Sequence, residues 1–567
     1  MKNFTEVLKG YYEREPERVT ITLQHPDQPD FHITYRELVE RSNDYAAAYA
    51  RSGVRPGDMV ILILQHGKDI VYAYWGAVLL GAVPSIMPFL TEKLTPDRYR
   101  ADMNALFSFC HPAAIVTYPE FEADCRQMVS GNSSVHEVFI AGRIPRQDGL
   151  DFSALPGLER RDIDIAVIQH SSGSTGLQKG VALSHRTIFN HLEPFSQAIR
   201  LTPEDVIVSW LPLYHDYGLI DNFLMPIMYG VHVIQMSPFD WVREPWRMMR
   251  TISDYRGTLT FLPNFAYNFC ANKIRERDIE GVDLSSWHSS INAGEPVRFK
   301  SHQMFYERFK SHGLRLETMQ NAYGMAEVVC LATLTSNNSG KLPFAEEIDR
   351  EALISEWIAR PAFSGRPSIS MVSCGKPLSN TTIRVVDDDG HDLPERHVGE
   401  IVLKSDCMLS EYYHRPDLTE QAFLGGGWFK SGDYGYMFNG EVFFTGRKKD
   451  MIIVGGKNIY PQDLEALAGE VPGVHPGRTV AFGLYDESQG PEIIILIAEA
   501  DTTDKSEQER IANEIRDYVT TNSAVAIRRV QVVGPKWILK TTSGKFARAA
   551  NKEKYLKEFG NGQESVD

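Results

Sequence analysis

Ser171, Ser172, Gly173, Ser174, Thr175, Gly176 and Lys179 stand together in the run IQHSSGSTGLQKGVALSH, Ile168 to His185. Glycines let backbone N–H groups approach an oxygen closely, the hydroxyls donate hydrogen bonds, and the lysine adds a point charge. Such a set suits a polyphosphate. The spacing is neither GxxxxGK[ST] nor GxGxxG, so neither of the commonest nucleotide loops is present. A linker of this composition would not need an apolar run on each side. The segment therefore reads as a held loop between two strands, with Ser184 placed to cap the helix that follows. Taken alone, a loop of this kind is a solvated surface turn about half the time.

Three further groups accompany it. The run NAYGMAE, Asn321 to Glu327, offers the Tyr323 ring for stacking on a base, Gly324 for close backbone approach, and the Glu327 carboxylate as a holder of Mg2+ near phosphates. Asp433 in SGDYG is an acceptor-only group that fits ribose hydroxyls. Lys545 sits in a second glycine–serine loop, KTTSGKFAR. Each also has a plain structural reading, as a core tyrosine, a turn aspartate and a surface lysine.

The elements that must position these groups alternate from Thr34 to about Ile291. Helical segments such as TYRELVERSNDYAAAYARSG are interleaved with the β-rich runs DMVILILQ, AAIVTY, DIAVIQH, VIVSWLP, VHVIQM and LTFLP. This rhythm predicts an α/β fold with layered, largely parallel sheets in a large N-terminal domain of several subdomains. Beyond Ser431 the pattern changes: Asn439-Gly440 between β-rich runs predicts a hairpin, and the charged knot GRKKD follows. RTVAFGLYD, EIIILIAEA, the helix-like SEQERIANEIRDYVTTN and IRRVQVVGP then form a small α+β unit. The predicted domains are 1–447 and 448–567.

Composition narrows the function. A chain of 567 residues exceeds what one core supports, and 43% hydrophobic with 23% charged residues is ordinary for a soluble globular protein. A formal net charge of −15 argues against nucleic-acid binding, which draws on clustered Lys and Arg. The six cysteines show no CxxC pair, so reduced, buried thiols in the cytoplasm are expected. No signal peptide is apparent at the N-terminus. The uncharged run Val71 to Leu90 is long enough to span a bilayer, but Gly76, Gly81, Pro84 and Pro88 interrupt it. It reads as a buried helix, a stop at Gly81 and a buried strand, with no membrane span.

The motifs SSGSTGLQKG, NAGEP (292–296), NAYGMAE, SGDYG, GRKKDMIIVGGKNIYP and SGKFAR, in that order, resemble the acyl-adenylating superfamily. This group contains acyl-CoA synthetases, luciferase-like enzymes and peptide-synthetase adenylation domains, and the resemblance runs from TYRELVERS to TTSGK. SWLPLYHDYGLI, PNFAY, MVSCGKPL and YPQDLE are phrased like the fatty acyl-AMP ligases. The stretch from Thr333 to Ser370 falls where those enzymes carry an extra segment. Gln178 stands where a proline commonly precedes the loop lysine. Lys457 and Ile459 look more like the acyl-CoA synthetases.

The resemblance implies attack of a carboxylate on the α-phosphate of ATP, giving an acyl-adenylate and pyrophosphate. It implies that Ser171 to Lys179 wrap the β and γ phosphates, that Thr175 serves the α/β side, and that Glu327 and Thr175 hold Mg2+. Gly294, Glu295, Pro296, Asn321, Ala322, Tyr323, Gly324 and Met325 would frame the adenine, Asp433 would take the ribose, and Arg447 would approach ribose or phosphate. Lys545 would bridge carboxylate and α-phosphate when a small mobile C-terminal domain closes about Lys449. His215, Tyr217, Gly218, Phe265 and Ala266 would lie along an acyl pocket. For His215, a plain turn hydrogen bond is an equal alternative. The implied partners are a fatty acid and the phosphopantetheine thiol of an acyl carrier protein. CoA as acceptor, a non-catalytic nucleotide-binding regulator and an amino-acid adenylating enzyme are the competing readings. The basic stretches GRKKD and Lys545 to Lys557 are candidate carrier-docking faces.

Overall fold

The computed structural model describes residues 3–90, 96–132, 134–171, 179–336, 340–454, 457–485, 492–523, 525, 527–541 and 545–559. The chain divides into two compact units. The first comprises Met1–Pro343, Pro377–Thr382 and Lys404–Phe423; the second comprises Phe344–Lys376, Ile383–Leu403 and Leu424–Asp567.

The first unit is built on two mainly parallel sheets, as the alternating pattern predicts. In the larger, seven strands lie in the order Met319–Asn321, Ser289–Asn292, Leu259–Leu262, Val206–Ser209, His232–Met236, Val19–Gln24 and Phe31–Thr34. All neighbours are parallel except the last pair. The inner strands are buried along their length, which is why they read as near-continuous apolar runs. The smaller sheet orders Val83–Ile86, Met59–Ile63, Ala114–Thr117 and Glu137–Ile140, all parallel. The stretch Val71 to Leu90 resolves as expected: a helix Lys68–Leu80, Gly81 at φ +79° as its left-handed cap, then a buried strand. Among the described residues no helix is long and apolar enough to cross a membrane.

One strand departs from the expected parallel rhythm. Ile165–Ser171, the DIAVIQH run, pairs antiparallel with Lys179–Ser184, and Glu411–Tyr412 adds antiparallel to the far side. The two strands on either side of the glycine-rich run are therefore an antiparallel pair; residues 172–178 between them lie outside the described residues. Ser184 does cap the next helix, its hydroxyl accepting from the Thr187 N–H at 3.1 Å.

In the second unit, Trp428–Phe438 and Glu441–Arg447 form the predicted hairpin. Asn439 and Gly440 both take positive φ, +53° and +74°, as a two-residue turn matched to strand twist requires. Ala345–Asp349 and Ser368–Val372 pair antiparallel within the segment expected to be an insertion. From Ile452 onward a three-stranded sheet, Val474–Tyr485, Glu492–Ala500 and Arg529–Val533, is packed by helices Pro461–Ala468, Lys505–Ser523 and Arg548–Phe559. The apolar side chains of this stretch, from Ile452 to Tyr555, gather in two clusters drawn from that stretch alone. Lys457 reaches Glu351 at 3.0 Å, an exposed pair between the GGKNIYP and EIDREAL runs.

Candidate functional site

Four adjacent parallel strands of the first unit, Val206–Ser209, Leu259–Leu262, Ser289–Asn292 and Met319–Asn321, all point the same way. Their carboxyl ends lead into SWLPLYHDYG, PNFAY, NAGEP and NAYGMAE respectively. Motifs separated by more than a hundred residues thus emerge along one sheet edge. In open parallel sheets the region outside the carboxyl ends is where ligands sit.

The backbone of this edge is knitted by hydrogen bonds. Ala322 N–H donates to Asn292 O at 3.0 Å, Asn321 N–H to the Thr335 hydroxyl at 2.8 Å, and Tyr323 N–H to the Thr333 hydroxyl at 3.0 Å. Tyr323 itself is buried. Gly294 takes φ +84°, and Glu295 accepts from the Phe265 N–H at 2.5 Å, tying NAGEP to PNFAY. At Gly324 an added Cβ would lie 1.9 Å from Cys330 O, so only glycine fits this turn. Met325 follows it as the residue leading into the short turn Ala326–Val328.

Glu327 lies in that short turn. Its Oε1 accepts from the Tyr412 hydroxyl at 2.8 Å, and its backbone O accepts from Leu409 N–H at 2.7 Å. Lys179, the first residue of its strand, places Nζ 4.7 Å from the centre of the same Tyr412 ring. The loop lysine and the NAYGMAE carboxylate are thereby brought to the ring and the hydroxyl of one tyrosine. Burial pushes the Glu327 carboxyl above the usual range; the Tyr412 hydrogen bond and Lys179 oppose this, and the charge of Asp216 adds to it. A half-buried carboxylate beside a second acidic group is a donor set that a divalent cation relieves, so Glu327 fits the expected Mg2+ role. Thr175, the other expected metal ligand, lies outside the described residues with Ser172, Gly173, Ser174 and Gly176. Ser171 ends the strand that pairs with Lys179.

Aromatic side chains follow two other strand ends of this edge, at Trp210 and Phe265. Trp210 and Trp241 stack at 3.7 Å, and Phe265 packs edge-on against both while remaining 39% exposed. Ala266 is buried behind it. Tyr217 is buried and donates its hydroxyl to Ile291 O at 2.7 Å, and a Cβ on Gly218 would meet Pro212 O at 2.2 Å. His215 sits in the turn that starts this segment, Nδ1 2.6 Å from Asp216 Oδ1.

The second unit holds the remaining expected residues. Asp433 and Arg447 are paired in register across the hairpin, with Arg447 Nε 3.9 Å from Asp433 Oδ1. Lys449 lies in the short turn Lys448–Asp450 that follows. Lys545 is half-buried, its N–H donating to the Thr541 hydroxyl at 3.1 Å and its carbonyl accepting from Thr541 N–H at 2.7 Å. The basic stretches singled out for docking are largely engaged: Lys448 with Asp388 and Glu400, Arg548 with Asp450 and Glu465, Lys557 with Glu553. A cleft of about 380 Å³ is lined instead by three arginines, Arg516, Arg528 and Arg529, and one acidic residue, Glu558, with Tyr555 and Phe559.

Tyr412 was invisible to sequence reasoning, since nothing in SEYYHRPD marks it and its partners lie 85 and more than 230 residues away. Trp210 and Trp241 were likewise unmarked, although Trp210 lies inside SWLPLYHDYGLI.

The sequence profile of the family described as AMP-binding enzyme matches residues 10–413. A medium-chain-fatty-acid–[acyl-carrier-protein] ligase, JamA of Moorena producens, is 28% identical over 94% of this chain and 91% of its own. The long-chain-fatty-acid–AMP ligase FadD32 of Mycobacterium marinum is 27% identical, covering 92% of this chain and 90% of its own. Among solved structures, one from work on the fatty acyl-adenylate ligases of E. coli and L. pneumophila superposes with TM-score 0.88 at 27% identity, over 99% of both chains. A profile match across most of the chain, the four motifs on one sheet edge and full-length likeness to such ligases lead to one assignment: the chain belongs to the AMP-binding enzyme family, as an acyl-adenylate-forming ligase.

Proposed function

We propose that the chain activates a medium- or long-chain fatty acid as its acyl-adenylate and passes the acyl group to the phosphopantetheine thiol of an acyl carrier protein. The observation that carries this reading is the meeting of Lys179 and Glu327 at Tyr412, with NAYGMAE, NAGEP, PNFAY and SWLPLYHDYG all leaving the carboxyl ends of four adjacent parallel strands. The lysine and carboxylate suit a triphosphate with its cation, and the apolar residues of PNFAY suit an acyl chain.

A fatty carboxylate is ionised at neutral pH, so no general base is required for its attack on the α-phosphorus. The bond to pyrophosphate breaks as the bond to the carboxylate oxygen forms. The barrier is anion against anion, which makes alignment and positive charge the main catalytic terms. Lys179 and the hydroxyls of the Ser171–Gly176 loop hold the β and γ phosphates. Glu327 and Thr175 would hold Mg2+, which would supply neutralisation of phosphate charge. Gly294–Pro296 and Asn321–Met325 frame the base, Asp433 accepts from the ribose hydroxyls, and Arg447 steadies Asp433 and the sugar. Lys545 supplies the cation for the carboxylate and α-phosphate. His215, Tyr217, Gly218, Phe265 and Ala266 border the acyl chain. We place the boundary of the mobile C-terminal domain at 447/448, with Lys449 as its hinge; the self-contained cores beyond Ile452 support that division.

The carrier protein is favoured as acceptor by the JamA likeness and by the arginine-lined cleft, whose charge complements an acidic partner on a chain of net charge −15. The second reading, CoA as acceptor, draws on Lys457 and Ile459. Incubating the enzyme with ATP, laurate and either phosphopantetheinylated carrier or CoA separates them. Acyl-carrier formation exceeding acyl-CoA formation at equal acceptor concentration is expected; the reverse order overturns the carrier assignment.

A further inference from the structure

The chain between Tyr323 and Thr333 doubles back on itself. Ala332 N–H and Thr333 N–H both donate to Tyr323 O, at 2.8 and 3.1 Å, and Gly324 bridges Leu331. Glu327 lies near the tip, and the return begins with a strained step: Val329 takes φ +69°, ψ −57°, with Cys330 N–H donating to Val328 O at 2.9 Å. That is a three-residue turn of the rare hand. For a buried, β-branched residue such a φ is an outlier that persists only where its surroundings impose it.

The surroundings that impose it are polar and fully enclosed. Cys330 donates its thiol to Asp221 Oδ2 at 3.0 Å, and Asp221 Oδ1 lies 3.3 Å from His191 Nε2. Asp221 and His191 are both 0% exposed. Burial works most strongly against charge on His191, but the hydrogen bonds and charge of Asp221 and Cys407 together outweigh it and hold the imidazole up to about 9. Asp221 belongs to the π-helical turn Ile220–Leu224, a distortion frequent near functional sites. Well-packed apolar residues would often serve stability as well as a buried ion pair does, so stability alone gives no reason for this one. Its contact with Cys330, next to the strained residue, supplies a reason.

We propose that Asp221, paired with His191, is a positioning residue: through the Cys330 thiol it clamps the strained turn after Glu327 and so fixes where the Glu327 carboxylate is presented. The role assigned to Glu327 rests on the function proposed above; the clamp itself does not. It acts through the backbone and touches no substrate. Leu409 and Tyr412 hold Glu327 on one side of the turn, and Cys330 secures the other side.

The test uses the full chain. In Cys330→Ala, hydrogen exchange at the amides of Ala332 and Thr333 should quicken about tenfold, the loss expected of one hydrogen bond to a charged group, with the strand Val19–Gln24 unchanged. The Mg2+ concentration giving half-maximal pyrophosphate exchange should rise with it. Cys330→Ser, which keeps a donor, should restore both. Val329→Gly combined with Cys330→Ala should restore them as well, because glycine adopts φ +69° without strain. Asp221→Asn, if it folds, should behave like Cys330→Ala; if it does not, the cysteine variants carry the test. Unchanged amide exchange in Cys330→Ala, or a double variant no better than the single one, overturns the clamp. A wild-type enzyme inactive on every acid would sink the functional reading while leaving the exchange result to judge the clamp.

Discussion

Removing one oxygen atom from Tyr412 separates the two contacts that bring Lys179 and Glu327 together. Tyr412→Phe deletes the 2.8 Å hydrogen bond to Glu327 Oε1 and keeps the ring whose centre lies 4.7 Å from Lys179 Nζ. Tyr412 is buried against its neighbours, so the isosteric ring stays in place. A hydrogen bond to a charged acceptor contributes about 1.5–3 kcal/mol net, which converts to a factor of about 10–150. The cation–ring contact at such a site contributes about 0.5–2 kcal/mol. Pyrophosphate exchange, measured over a matrix of ATP and Mg2+ concentrations, should therefore show kcat/KM for ATP falling at least about tenfold in Tyr412→Phe, with a higher Mg2+ requirement. Tyr412→Ala, which also loses the ring, should fall several-fold further, by the cation–ring contribution. Phenylalanine activity within twofold of wild type at every Mg2+ concentration would refute the reasoning that Glu327 is positioned through Tyr412.

Lys545→Ala should lower acyl-adenylate formation by about 10²–10³-fold, the loss typical of one preorganised group at developing charge, while ATP affinity measured by calorimetry changes little. An equal loss of ATP affinity would assign Lys545 to ground-state binding instead. Acid should also weaken the first unit. Burial lowers His170 to about 4 and His302 to about 3, so both stay neutral in the folded chain while the unfolded chain protonates near pH 6.5. Folded pKa values below the unfolded ones mean that this stability is complete above about pH 6.5 and is lost as pH falls towards 4, at about 1.4 kcal/mol per pH unit for each histidine. Urea unfolding midpoints at pH 7, 6 and 5 read the slope. His302→Gln should lessen it by about 1.4 kcal/mol per pH unit, and a slope unaffected by that change would contradict the assignment.

Much of the fold was legible because local rules decided it. Gly81 stops a helix by its left-handed φ, Asn439-Gly440 makes the one two-residue turn that suits a hairpin, and Ser184 caps a helix, each a choice made within a few residues. The direction of Ile165–Ser171 was not legible, because a short apolar run looks the same in parallel and antiparallel sheets. The site motifs were legible from residue types and order, and their meeting along one edge follows from four parallel strands in a shared sheet. The groups that hold them were not. Tyr412 returns to Lys179 through a strand of two residues, and Asp221 meets Cys330 across 109 positions. Such contacts are set by tertiary packing, which leaves no period or spacing to read.

Activation of a carboxylic acid with ATP is the central step, and ATP–pyrophosphate exchange across acids from acetate to palmitate, with several amino acids alongside, measures that step alone. Exchange that rises with chain length into the medium or long range, and is absent with amino acids, is the expected result. Exchange with amino acids only, or with no acid in the panel, would contradict it.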